Sequence, residues 1–160
     1  MSWNVLYLRP RTEKKMGEYA QGLSLEFYLP LRRETKIYQR RKVTVEKPIF
    51  PGYFFVSFDG QGRVGLLKSN LIVRILEPAS EAQLLHELEQ IRKALEVDPT
   101  LSASSALKKG KHVMIRGGPF MGIEGVVSEL KGPAKVRLNI EMIGRAVVVE
   151  ADRDYLEVIE

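Results

Sequence analysis

The only imidazoles in the chain are His86 and His112, and there is no cysteine. An imidazole does acid–base work only when a carboxylate orients it and a nucleophile or metal lies within reach. His86 falls on the polar side of a helical pattern and His112 at the entry of a strand, neither with an obvious carboxylate partner. Thiol catalysis, disulfides and cysteine zinc sites are excluded outright. Neither G-x-S-x-G nor His-Glu-x-x-His occurs. Gly62-Arg63-Val64-Gly65-Leu66-Leu67-Lys68-Ser69 has the flavour of a phosphate loop, but such a loop needs glycine directly before its lysine, and Leu67 stands there. The chain is therefore read as a binding protein, not an enzyme, with neither cofactor nor metal.

What it does carry is residues suited to binding. Phe50-Pro51-Gly52-Tyr53-Phe54-Phe55-Val56 is the densest aromatic cluster. On a strand, Tyr53 and Phe55 share one face, Phe54 and Val56 the other. One row fills a core; the other is either covered by a helix or meets a partner, and aromatics are enriched at interface centres. A second cluster, Gly117-Gly118-Pro119-Phe120-Met121-Gly122-Ile123, places Phe120 and Ile123 on a tight loop. Arg9, Arg11, Lys14 and Lys15 surround the start of a helix, and Arg32–Lys47 holds seven basic residues against two acidic ones, Arg40, Arg41 and Lys42 in succession among them. Interleaved Tyr28 and Tyr38 are placed to stack on bases. The net charge of +5 lies wholly in residues 1–97, with 16 Lys and Arg against 11 Asp and Glu; residues 98–160 hold nine of each. A polyanion is thus expected at the first half alone.

The elements needed to position these residues divide into two sets. Trp3–Leu8 reads as a buried strand, and Thr12 as the cap of a helix with Met16, Tyr19, Ala20 and Leu23 on one stripe. Phe27–Leu31 and Lys42–Val45 read as strands flanking a basic, extended arm; Tyr53–Phe58 and Leu71–Leu76 as further strands; Arg63–Ser69 as a short helix. Ser80 with Gln83 fits a capping box ahead of a helix with Leu84, Leu88, Ile91 and Leu95 on one stripe. Asp98–Ala106 is small and polar, and reads as a flexible linker. Beyond it, Val113–Ile115, Gly125–Leu130, Lys135–Ile140, Ala146–Glu150 and Tyr155–Ile159 are five short β-rich runs separated by glycine, proline and aspartate turns. The fold class expected is α+β: an antiparallel sheet with helices over residues 1–97, a linker over 98–107, and a small all-β barrel over 108–160. No window approaches a membrane span, and Met1–Tyr7 lacks the basic n-region of a secretory signal, so a cytoplasmic protein is expected.

In this order the clusters resemble the NusG family of bacterial transcription elongation factors. The family pattern of an aromatic strand, a basic helix start, a phenylalanine-proline-glycine-tyrosine strand, a linker and a KOW module is matched by Trp3–Tyr7, Arg9–Lys15, Phe50–Val56, Asp98–Ala106 and Val113–Val127. Lys135–Ile140 with Ile143-Gly144-Arg145 resembles the family's closing strands. The resemblance implies an N-terminal NGN domain over residues 1–97 that binds the clamp helices of the β-prime subunit of RNA polymerase, with Tyr7, Phe50, Pro51, Tyr53 and Phe55 in the apolar patch. It implies non-template DNA as a second partner, with Arg9, Arg11, Lys14, Lys15, Arg40, Arg41 and Lys42 as the nucleic-acid contacts. It also implies a five-stranded, SH3-like KOW barrel over 108–160, whose loop residues Phe120 and Ile123 recruit Rho or a small-subunit ribosomal protein. A monomer is expected.

Two departures qualify the match. Met121-Gly122-Ile123 stands where general members usually place a second aromatic. Tyr28-Leu29-Pro30-Leu31, the basic arm and Arg9-Pro10-Arg11 look closer to specialised, RfaH-like antiterminators. Some of those refold the KOW module as a helical hairpin; Gly117, Gly118, Pro119, Gly132 and Pro133 disfavour long helices here, so strands are expected. The alternative reading is a KOW-type RNA-binding or ribosome-associated protein, which the neutral second half disfavours.

Overall fold

The computed structural model describes residues 1–107, 109–128 and 134–159. The end of the strand expected at Gly125–Leu130 and the turn at Lys131-Gly132-Pro133 lie outside them. In chain order the elements are β1 (Ser2–Leu8), α1 (Glu13–Gly22), β2 (Phe27–Tyr28), β3 (Leu31–Tyr38), β4 (Arg41–Pro48), β5 (Tyr53–Phe58), α2 (Gly60–Leu67), β6 (Ile72–Leu76), α3 (Glu81–Val97), β7 (Ala103–Ser105), β8 (Lys111–Ile115), β9 (Glu124–Val127), β10 (Ala134–Ile140), β11 (Arg145–Ala151) and β12 (Leu156–Val158), with 3-10 turns at Glu141–Ile143 and Arg153–Tyr155. They gather into two compact units: Met1–Pro30 with Phe50–Gln83, and Leu31–Ile49 with Leu84–Glu160.

The first unit is built on an antiparallel sheet of order β2-β5-β1-β6. One face carries Leu6, Leu8, Phe54, Val56 and Phe58, alternate residues of β1 and β5, which bury against Met16 and Ala20 of α1 and Leu66 of α2. Phe27 stacks on Phe54 at 5.2 Å between ring centroids. Each such side chain removed from water contributes about 1.5–3 kcal/mol, which makes this the stabilising mass of the unit. Thr12 precedes α1 as expected but does not cap it: its hydroxyl donates to the Arg9 carbonyl at 2.7 Å. The short helix begins three residues earlier than the sequence suggests, because Asp59 accepts from the Gly62 amide at 2.8 Å and so fixes its first turn. At α3, the Ser80 hydroxyl accepts from the Gln83 amide at 3.1 Å, in keeping with the expected box.

The second unit differs from expectation in three ways. The basic arm is extended but not a single free strand of chain: β3 and β4 pair over their full length as a two-stranded ribbon, from Leu31↔Pro48 to Tyr38↔Arg41. The stretch expected to be a linker contributes β7, whose Ala103–Ser105 pair with β11. Next to it the Asn139 amide brackets Leu107, accepting from its N–H at 3.1 Å and donating to its carbonyl at 3.0 Å. The later strands form one antiparallel sheet of order β12-β8-β9-β10-β11-β7, six strands rather than five, with β7 and β12 as edges. Beyond Val97 the described residues form strands and 3-10 turns and no α-helix, as the glycines and prolines lead one to expect. In α3, Leu84, Leu88, Ile91 and Ala94 are buried on one stripe.

Candidate interaction surfaces

The phenylalanine-proline-glycine-tyrosine motif folds as the tight entry to β5. The Tyr53 N–H donates to the Phe50 carbonyl at 3.1 Å, and Gly52 lies at φ 91°. Glycine is required twice over: a positive φ is strained for a residue with a Cβ, and a Cβ here would lie 2.8 Å from Cε1 of Tyr7. The Gly52 carbonyl accepts from the Leu8 N–H at 2.7 Å, and its own N–H donates to the buried Glu13 carboxylate at 3.0 Å. That carboxylate ties the turn to the first turn of α1. The outcome is a pair of tyrosines, Tyr7 and Tyr53, directly opposite each other with ring centroids 5.3 Å apart. Tyr7 is 41% exposed, and Arg74, its register partner on β6, is exposed beside it.

Not every residue expected in this patch reaches the surface. Phe50 is buried, and Phe55 is completely so. β5 lies between β2 and β1, and both of its faces are covered, as the full burial of Phe54, Phe55 and Val56 together shows. The accessible set is Tyr7, Pro51 and part of Tyr53, with Arg74 added. Sequence reasoning missed Arg74 because nothing in Leu71–Leu76 reveals which strand lies beside it.

Arg9, Arg11, Lys14 and Lys15 are all exposed around the start of α1. Glu13, the acidic residue of the first turn, turns inward to Gly52 and leaves the outward side basic. At the other end of the same unit an open cleft of about 410 Å³ is lined by Trp3, Asp59, Arg63, Glu77 and Glu81 among others. Two of its carboxylates are engaged, Asp59 in capping α2 and Glu81 in accepting from the Trp3 N–H at 2.8 Å.

The β3–β4 ribbon sorts its charges along its length. Near the base, Lys47 donates to Glu34 at 2.8 Å, and Arg33 lies 3.9 Å from Glu46. The hydrogen bond from Lys47 holds the Glu34 carboxyl below its ordinary value, and the same bond raises the Lys47 ammonium. The Arg32 guanidinium donates to the carbonyls of Leu101 and Thr100 at 3.2 and 3.1 Å, and the Arg33 N–H donates to the Pro99 carbonyl at 2.7 Å. At the far end Arg40, Arg41 and Lys42 are exposed, and among the described residues no carboxylate pairs with them.

In the loop between β8 and β9, Gly118 and Gly122 take positive φ, and the Gly122 N–H donates to the Ile115 carbonyl at 2.7 Å. Phe120 is half-buried. Ile123, expected as a contact, is 2% exposed: it lies just ahead of β9, its carbonyl accepts from the Ile115 N–H at 2.9 Å, and its side chain is buried away from the loop tip. Met121, 68% exposed, holds that tip instead. The histidine reading is also corrected. His86 Nε2 lies 2.9 Å from the Glu124 carboxylate, and Gln90 of the next helical turn accepts from the Glu124 N–H at 2.8 Å. Among the described residues no group of three or more His, Asp or Glu is placed to hold a metal, and no helix is long and apolar enough to cross a membrane.

Residues 1–94 match the family described as "Transcription termination factor nusG". The chain belongs to the NusG family. Among NusG relatives, the transcription termination/antitermination protein of Deinococcus radiodurans is 29% identical over 133 residues, covering 70% of this chain and 69% of that protein. The Borreliella burgdorferi protein of the same name is 21% identical over 182 aligned positions, covering 99% of this chain and 98% of that protein. A solved structure, "Domain interaction in Thermotoga maritima NusG", shares the fold at TM-score 0.52 and 19% identity, covering 99% of this chain and 97% of that one. The mixed α/β architecture, with three helices and several antiparallel sheets, is therefore that of a NusG structure. The NusG names carry this chain into the termination/antitermination class of transcription factors.

Proposed function

We propose that this NusG-family chain is a transcription elongation factor that holds RNA polymerase through the Tyr7–Tyr53 surface and regulates pausing and termination or antitermination. The observation that carries the reading is the tyrosine pair, Tyr7 exposed and Tyr53 half-buried beside it, built by the Phe50-Pro51-Gly52 turn inside the family-matched residues. Arg74 and Pro51 widen that surface, and it faces the clamp helices of the β-prime subunit. Phe50 and Phe55 support it from within the protein. Arg9, Arg11, Lys14 and Lys15, with Arg40, Arg41 and Lys42, contact nucleic acid, the non-template strand in particular. The sheet β7–β12 serves as the KOW module, with Phe120 and Met121 presenting apolar surface to Rho or a ribosomal protein. The basic ribbon and the Met121-Gly122 loop favour a specialised antiterminator over a general factor.

The test is capture of purified RNA polymerase by the full chain and by Tyr7→Ala/Tyr53→Ala, with the fold of both checked by circular dichroism. A hot-spot aromatic costs upwards of about 2 kcal/mol when truncated, and the costs of neighbouring hot spots do not add, so the affinity for polymerase falls by at least about thirtyfold. Polymerase held equally by both proteins removes the tyrosine surface from the reading; polymerase held by neither turns the reading to RNA as the partner.

A further inference from the structure

The tip of the β3–β4 ribbon is unlike the rest of it. Ile37 is 77% exposed and Tyr38 67%, both large and apolar, on a two-stranded element with no core of its own. The turn that joins the strands places Gln39 and Arg40 both at positive φ, which sets Tyr38 directly opposite Arg41, and Ile37 opposite Lys42. Directly opposed residues share a face. One face of the tip therefore presents a phenol ring with a guanidinium beside it, and the other an isoleucine with an ammonium. The carboxylates Glu34 and Glu46 sit nearer the base and are engaged by Lys47 and Arg33. Over Ile37–Lys42 the charge is +3, with no acidic residue.

We infer that this tip is a binding site for single-stranded nucleic acid, in which Tyr38 stacks on an unpaired base while Arg40, Arg41 and Lys42 neutralise phosphates. The inference deepens the nucleic-acid part of the function proposed above and rests on it. Charge complementarity selects a polyanion, and the ring selects the strand state. An exposed tyrosine gains by stacking on the face of a base, and in a continuous duplex every base face is already taken. The ribbon suits such a role mechanically. Its base is clamped by Arg32 and Arg33 on the carbonyls of Pro99, Thr100 and Leu101, so its ring is held out on a fixed element about 25 Å long, not on a loose arm. Tyr28, the other tyrosine of the basic region, is half-buried in β2 and offers no comparable face.

The experiment uses the full chain with two fluorescent oligonucleotides of equal length, one single-stranded with an internal 2-aminopurine and one a blunt duplex. Affinity is followed across a salt series. Wild type is expected to bind the single strand more tightly than the duplex and to change the 2-aminopurine emission. Tyr38→Ala weakens single-strand binding by roughly 5- to 150-fold without altering the salt slope, and Tyr38→Phe restores it. Arg41→Gln and Lys42→Gln each flatten the salt slope by about 0.7. Unchanged affinity in Tyr38→Ala, or duplex binding as tight as single-strand binding, overturns the inference. Polymerase capture is measured on the same proteins. Tyr38-dependent strand binding without capture by wild type removes the polymerase reading and leaves the strand site standing; capture without Tyr38-dependent strand binding does the reverse.

Discussion

Two stretches of β-strand in this chain carry aromatic residues, four in Tyr53–Phe58 and one, Tyr38, in the β3–β4 ribbon, and they end in opposite environments. Tyr53–Phe58 lies inside a four-stranded sheet with both faces covered, and from Phe54 to Phe58 every residue is buried. The β3–β4 ribbon has two strands and leaves Ile37, Tyr38 and Val43 in water. What separates them is the number of neighbours. A strand flanked on both sides and capped by helices turns aromatic residues into core, whereas a two-stranded ribbon leaves them exposed among basic side chains. Aromatic density alone therefore says nothing about accessibility; flanking charge says more.

The largest expected contrast lies in stability. Phe55→Ala should lower the unfolding free energy by about 3–5 kcal/mol, since it leaves a ring-sized hole in a packed sheet. Tyr38→Ala should shift it by less than about 0.5 kcal/mol, because the ring packs against nothing that folding needs. Chemical denaturation of the two variants checks this, and equal losses would break the comparison.

A smaller effect belongs to the turn that builds the tyrosine pair. Gly52→Ala places a Cβ at φ 91° and 2.8 Å from the Tyr7 ring. A loss of about 2 kcal/mol is expected from the left-handed backbone and the displaced ring together. The change should also weaken polymerase capture although it removes no contact residue, which thermal melting and the capture assay read separately.

The smallest effect concerns pH at the ribbon. The Glu34 carboxyl is held below its ordinary value of 4.5 by the hydrogen bond from Lys47, so its contribution is present above that value and is lost as pH falls through the depressed one. The Lys47 ammonium is raised above 10.5, so its contribution holds below that value and is lost as pH rises through the raised one. Both groups are solvent-screened, and only local opening should respond. Hydrogen exchange of the ribbon amides, corrected for the intrinsic pH dependence, should show greatest protection between these limits and less in acid, while Tyr53–Phe58 does not change.

Much of the fold was legible in the chain. Trp3–Leu8, Tyr53–Phe58 and the Leu84–Leu88–Ile91 stripe announce themselves by periodicity, and the NusG motifs by their order. The ribbon was not legible because its turn, Gln39-Arg40, lacks the Asn-Gly or Asp-Gly signature and adopts positive φ with ordinary residues. β7 was hidden because Ala103-Ser104-Ser105 has the composition of a linker and becomes a strand only through β11. Ile123 was misplaced because Gly117–Gly125 reads as one loop, although the chain is already buried by Ile123; Phe55 was misplaced for a different reason. Alternation tells which residues share a face, but only the assembled sheet tells whether that face is covered.

The open edges of the ribbon carry one more consequence. Beyond the base, where the Pro99 carbonyl accepts from the Arg33 N–H, the two strands have no outer β-neighbour and expose backbone donors and acceptors that another copy of the chain can complete, the usual seed of cross-β growth. Like charges along β3 and β4 keep such copies apart at low ionic strength. That protection reaches only about 10 Å at 0.1 M salt and shortens further as salt rises. Storage in concentrated salt, ordinarily a safe choice for a basic protein, would here withdraw the guard against self-association.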